Sequence, residues 1–130
     1  MNEALQYAEF IRPDWAPPAW LFSPVWTILY IIIIISFGWV FYQAFIGKIP
    51  KLVALPFGLN LFFNLIYTPI QFGLQNNLLA SIDIILVLAT LIWLLVVVWP
   101  YARWVSLANI PYVLWVSFAT VLQFAITYLN

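Results

Sequence analysis

The stretch LLASIDIILVLATLIWLLVVVW, residues 78–99, decides what kind of fold this chain adopts. Over its whole length it holds one ionisable side chain, Asp83. A hydrocarbon core about 30 Å thick is crossed by about 20 apolar residues in a helix, so the run reads as a transmembrane helix. Three more runs of that kind flank it, at roughly 20–45, 52–74 and 108–129. The linkers IGKIPK (46–51), QNN (75–77) and PYARWVSL (100–107) are short, which forces neighbouring helices to run antiparallel. The expected fold is therefore all-α: a single domain over residues 1–130, built as an up-down bundle of four transmembrane helices.

Composition agrees with a lipid solvent. Of 130 residues 67% are hydrophobic and 6% charged, with a mean hydropathy of +1.08, where soluble domains carry about 25% charged residues. The chain has no cysteine, no histidine and only the initiating methionine. Disulfides, thiolate or imidazole metal sites and nucleophile–histidine pairs are thereby excluded, as are the usual axial haem ligands. No metal and no cofactor is expected, and no basic patch points to nucleic acid. The first twelve residues open with Glu3 and Glu9 rather than the basic region of a secretory signal. Leu5, Ala8 and Ile11 recur there at helical spacing, which predicts a short surface helix too short to span.

Lys48, Lys51 and Arg103 lie in the first and third linkers, against Arg12 alone on the other side. By the positive-inside rule the two linkers face the cytoplasm and both termini lie outside. Trp15, Trp20, Trp99, Tyr101, Trp104 and Tyr128 collect near the predicted span ends, as membrane interfaces favour.

Polar residues inside the spans select the inward faces. Asn60, Asn64, Tyr67 and Gln71 recur at steps of four, three and four, which confines them to about 60° of a helix. Amides facing lipid would lack partners, so the stripe faces the bundle. It reads either as interhelical glue, at about 0.6 kcal/mol per bond, or as the polar wall of a ligand cavity. Pro69, in the same span, frees the carbonyl of Leu65. Asp83 aligns with Ala80, Val87 and Thr90. It is a functional candidate as an intramembrane carboxylate, or else an acid placed to favour the start of its helix. The last span puts Tyr112, Trp115, Ala119 and Gln123 on one face, and the first pairs Trp26 with Tyr30 one turn apart. Ala119 leaves room for a flat ligand or a neighbouring helix.

WAPPAWLFSPVWTILY (15–30) resembles the signature of the translocator protein family (TspO/MBR, the tryptophan-rich sensory proteins), roughly W-x-P-P-x-W-x-F-x-P-V-W-T-x-L-Y. NLFFNLIYTPIQFGLQNNLLASIDIILV (60–87) and IPYVLWVSFATVLQFAITYLN (110–130) continue the resemblance, which covers residues 13 to 130 in order. Family members ordinarily have five spans, the first preceding the W-x-P-P loop, whereas only twelve residues precede it here. The four runs correspond to the family's second to fifth spans. A pocket built on five helices would then be open on one side, closed by lipid, or closed by a second copy, and homodimers are known in the family.

The resemblance implies a bundle cavity for porphyrins such as protoporphyrin IX or similar flat hydrophobic ligands, in a protein acting as sensor, carrier or scavenger. Pro17 and Pro18 stiffen a lid over its mouth, and Pro24 starts or kinks the first helix. Family pocket positions fall on Trp15, Trp26, Tyr30, Asn64, Gln71, Trp115 and Ala119; Asn60 and Tyr112 share their faces. Indole and phenol rings would stack on the macrocycle, with the amides at its polar edge. The resemblance also implies an alternative, light-dependent porphyrin degradation, with Trp26 and Trp115 as the reacting indoles. A third reading, a small proton-coupled drug exporter, rests on similar chain length and on Asp83; such exporters carry their acid in the first span, whereas Asp83 lies in the third. The sterol motif fits poorly: VWPYAR (98–103) matches a loose pattern, and no basic residue follows Tyr128. The expected location is multi-pass in a membrane, the bacterial cytoplasmic membrane by this reading.

Overall fold

The computed structural model describes residues 14–16, 19–68 and 77–129. A single 3₁₀ turn, Ala19–Leu21, leads into helix α1, Phe22–Phe45. Then follow α2, Lys51–Thr68; α3, Asn77–Val98; a short α4, Arg103–Ala108; and α5, Ile110–Leu129. Among the described residues every regular element is helical. Three helices are long and apolar enough to cross a membrane, at Ser23–Phe45, Asn77–Val98 and Ile110–Leu129, with α2 a shorter apolar companion. The chain is an all-α membrane bundle.

Local sequence accounts for the helix ends. Pro24 lies in the first turn of α1, where a missing N–H costs nothing because that turn's donors have no intrahelical acceptor. Gly47, at φ +80°, closes the same helix. Its N–H donates to the carbonyl of Ala44 at 3.2 Å, and that of Lys48 reaches Gln43 at 2.9 Å. This is the paired closure that a left-handed residue permits. Pro56 lies inside α2 and leaves the carbonyl of Leu52 without its intrahelical donor.

Two expectations are corrected. The first span opens at Phe22, because residues 19–21 wind as a 3₁₀ turn. The stretch 100–107 is not all linker: once Pro100 has ended α3, Arg103–Ala108 resumes as a helical turn and a half, its Ser106 hydroxyl bonded to the carbonyl of Leu95 at 2.8 Å. The second span is described as far as Thr68. Gln71, Pro17, Pro18, Pro69 and the N-terminal surface helix lie outside the described residues.

Helix α3 is central. It packs closely along α2 and α5 and touches α4, whereas α1 rests on α2 and α4. Leu29, Ile33, Phe37, Val40 and Ala44 make the inward stripe of α1, while Ile31, Ile34 and Ile35 face outward to lipid. Phe37 meets Phe57 of α2 edge to face at 4.9 Å. At one end of the bundle, Trp39 meets Trp104 at 5.2 Å and the Arg103 guanidinium lies 5.2 Å from the Trp99 ring centre. The α1–α2 turn with Lys48 and Lys51 lies at this same end.

Candidate functional site

Helix α5 packs closely on α3 and less closely on α1 and α2. Side chains link it to both. The Tyr30 hydroxyl of α1 donates to Asn64 Oδ1 of α2 at 2.8 Å, and Asn64 Nδ2 donates to the Tyr112 hydroxyl of α5 at 2.7 Å. Tyr112 donates in turn to Asn60 Oδ1 at 2.8 Å, and Asn60 Nδ2 reaches the carbonyl of Val87 and the Thr90 hydroxyl of α3 at 2.9 and 3.1 Å. One run of hydrogen bonds thus joins all four long helices. The stripe read from the sequence does face inward: Asn60 and Tyr112 are fully buried and Asn64 nearly so.

A second polar run lies toward the other end of α2. The Tyr67 hydroxyl donates to Gln123 Oε1. Gln123 Nε2 donates to the Thr127 hydroxyl at 3.1 Å, which shares a hydrogen bond with Ser81 at 2.7 Å. The Ser81 hydroxyl also donates to the carbonyl of Asn77 at 2.9 Å. Tyr67 and Gln123 each lie on a face marked by spacing, but nothing in the spacing pairs them. Ser81, Thr127, Ser36 and Asn109 are polar contacts that the sequence reading did not single out. Asn109 Nδ2 donates to Ser36 at 3.0 Å, tying the start of α5 to α1. A small hydroxyl within an apolar run was the available signal.

Aromatic rings gather on α1 and on α5. Trp26 and Tyr30 lie 5.5 Å apart on α1. Trp115 lies 5.7 Å from Phe118 on α5, and Trp15 approaches the same Phe118 edge-on at 5.8 Å. Ala16 packs on Leu122 and Ile126, so the stretch 14–16 lies over α5. Trp26, Trp115 and Ala119 are partly buried, Tyr30 is 37% exposed and Trp15 half exposed. Phe118 was not anticipated, though it follows Trp115 by three residues, the spacing of a shared helix face.

The amides bear on both readings of the α2 stripe. As the helices stand, Asn60 and Asn64 are satisfied by protein partners and hold helices together. The outermost link, from the partly exposed Tyr30, is the one a ligand edge can replace without opening the core. Asp83, by contrast, is buried at 3% exposure, and among the described residues neither oxygen is hydrogen-bonded. It is the seventh residue of α3, beyond the four orphan N–H groups that an acid could serve at a helix start. The reading of Asp83 as a helix-start acid is corrected on that ground.

Comparison with known proteins adds the following. The family model described as the TspO/MBR family matches residues 2–129. A tryptophan-rich protein TspO of Archaeoglobus fulgidus is 36% identical over 126 residues, covering 95% of this chain and 79% of the relative. One of the same name from Chlorobaculum tepidum is 33% identical, covering 79% and 72%. The translocator protein of Homo sapiens is 29% identical, covering 77% and 66%.

Proposed function

The chain belongs to the TspO/MBR family, and from that premise we propose that it binds porphyrins of the protoporphyrin IX type, or similarly flat hydrophobic ligands, beside α5. The observation that supports this reading is the looser packing of α5 on α1 and α2, helices that carry the partly buried rings of Trp26 and Trp115 and the exposed ring of Tyr30. A planar macrocycle gains most from indole and phenol faces at stacking distance. Trp15, already on Phe118, lies over the same helix as a cover. The protein would act as sensor, carrier or scavenger, with the outward isoleucines of α1 covered by lipid or by a second copy.

Titration of the purified chain in nanodiscs with protoporphyrin IX should quench tryptophan fluorescence saturably, at about one porphyrin per chain. Linear, unsaturable quenching equal to that of empty nanodiscs containing a tryptophan peptide would remove the reading. Illuminating the complex separates binding from degradation: a new absorbing product that Trp26→Phe or Trp115→Phe abolishes would make the protein an enzyme, and an unchanged porphyrin spectrum leaves a binder.

Lys48, Lys51 and Arg103, gathered at one end of the bundle, support the reading that this end faces the cytoplasm, by the positive-inside rule. The chain lacks cysteine, so single cysteines at Lys48 and Tyr128 report sidedness directly. A membrane-impermeant maleimide added to intact cells should label the second and spare the first. The opposite pattern would invert the topology.

A further inference from the structure

Neither network uses Asp83, although it lies in the central helix. Its carboxyl group is buried on the stripe of α3 that carries Ala80 and Val87, and both oxygens are shut off from the surface without a donor among the described residues. The titratable groups of the packed elements are engaged elsewhere. Tyr67 of α2, its electrostatic neighbour, gives its hydroxyl to Gln123, and Tyr112 of α5 gives its own to Asn60. Arg103 of α4 lies beyond the far end of α3, which places it roughly 22 Å or more along the helix axis. Lys51 begins α2, about 24 Å from Tyr67.

An ionised carboxylate in such a place has lost water and gained nothing, and groups so buried neutralise instead. A bare metal ion would need several oxygen ligands, whereas Ala80 and Val87 flank Asp83 on its stripe. A proton needs neither room nor further ligands. We propose that Asp83 is a proton-binding site, and that the closed α2–α3 seam seen here is the state with the proton bound. The carboxyl O–H bond forms on uptake, with the proton drawn from water. On release the carboxylate must recruit water or a cation, so the seam loosens. This holds whether or not the protein binds porphyrin.

The test is infrared spectroscopy of the full chain in nanodiscs at neutral pH. The expected result is a carboxylic-acid carbonyl band that shifts in D₂O and is lost in Asp83→Asn. A triple variant, Glu3→Gln, Glu9→Gln and Asp14→Asn, should keep the band, assigning it to Asp83. Should Asp83→Asn fail to fold, Asp83→Glu decides, with a band displaced in frequency. Hydrogen exchange of α2 and α3 amides should rise at alkaline pH in the wild type beyond the intrinsic rate increase, and not in Asp83→Asn. A wild type with no acid band, a band that survives Asp83→Asn, a carboxylate signal that responds to sodium, or exchange indifferent to the titration would overturn the proposal.

Discussion

Trp115→Ala should weaken protoporphyrin IX binding by roughly 30-fold or more, the largest loss of any single ring in the site. Trp115 is partly buried against the core, and part of its ring is exposed. A tryptophan buries 150–250 Å² when covered, so a macrocycle that covers its exposed part removes up to about 100 Å² from water. At about 25 cal/mol per Å² that is about 2.5 kcal/mol, before any stacking term. Trp115→Phe keeps a ring against Phe118 and should lose much less, roughly 3-fold. Fluorescence titration in nanodiscs measures both. Because Trp115→Ala also thins the packing on Phe118, its melting temperature is read alongside. A folded Trp115→Ala protein with wild-type affinity would put the ligand elsewhere.

The ligand argument depends on something only partly written in the sequence. The existence of four apolar helices was legible because lipid demands it at every position of a span. The inward stripe of α2 was legible because an amide in lipid has nowhere to bond, so Asn60 and Asn64 had one face to choose. The isoleucine run of α1 carried no such mark. Ile33 is buried and Ile34 and Ile35 are exposed, yet all three suit core and lipid alike, because lipid tails are as apolar as a protein interior. Which side of α1 faces the bundle is settled by contacts such as Phe37 on Phe57.

The same reasoning explains the short helix α4. A charged and aromatic stretch after Pro100 reads as linker by composition, and only the docking of Trp104 on Trp39 and of Ser106 on the end of α3 gives it a reason to wind. Partner choice was the least legible layer. Spacing put Tyr112 and Asn60 on inward faces of different helices, but the reach of a phenol across the gap between α2 and α5 depends on how far those backbones stand apart. That distance is set by α3, which holds both.

The Tyr112 hydroxyl is where that geometry can be tested most sharply. It accepts from Asn64 and donates to Asn60 inside a fully buried environment. Tyr112→Phe removes both bonds at once and strands a buried amide donor and a buried amide oxygen. Interhelical hydrogen bonds in membranes average about 0.6 kcal/mol and reach about 1.7, while a buried polar group left unsatisfied costs about 1–3 kcal/mol. The expected loss is therefore roughly 2 kcal/mol, read as a lowered melting temperature of the nanodisc-embedded protein. Thr120→Val is the matched control. It also deletes a hydroxyl, but one that bonds only the carbonyl of Val116 in its own helix, at 2.7 Å, and it should lose a few tenths of a kcal/mol at most. Adding Asn64→Leu to Tyr112→Phe should cost less than the two single changes summed, because the second removes a group the first has already orphaned. Equal melting temperatures for Tyr112→Phe and the wild type would mean that α5 is not tethered to α2 through this phenol. The floor of the proposed site would then have to be drawn without it.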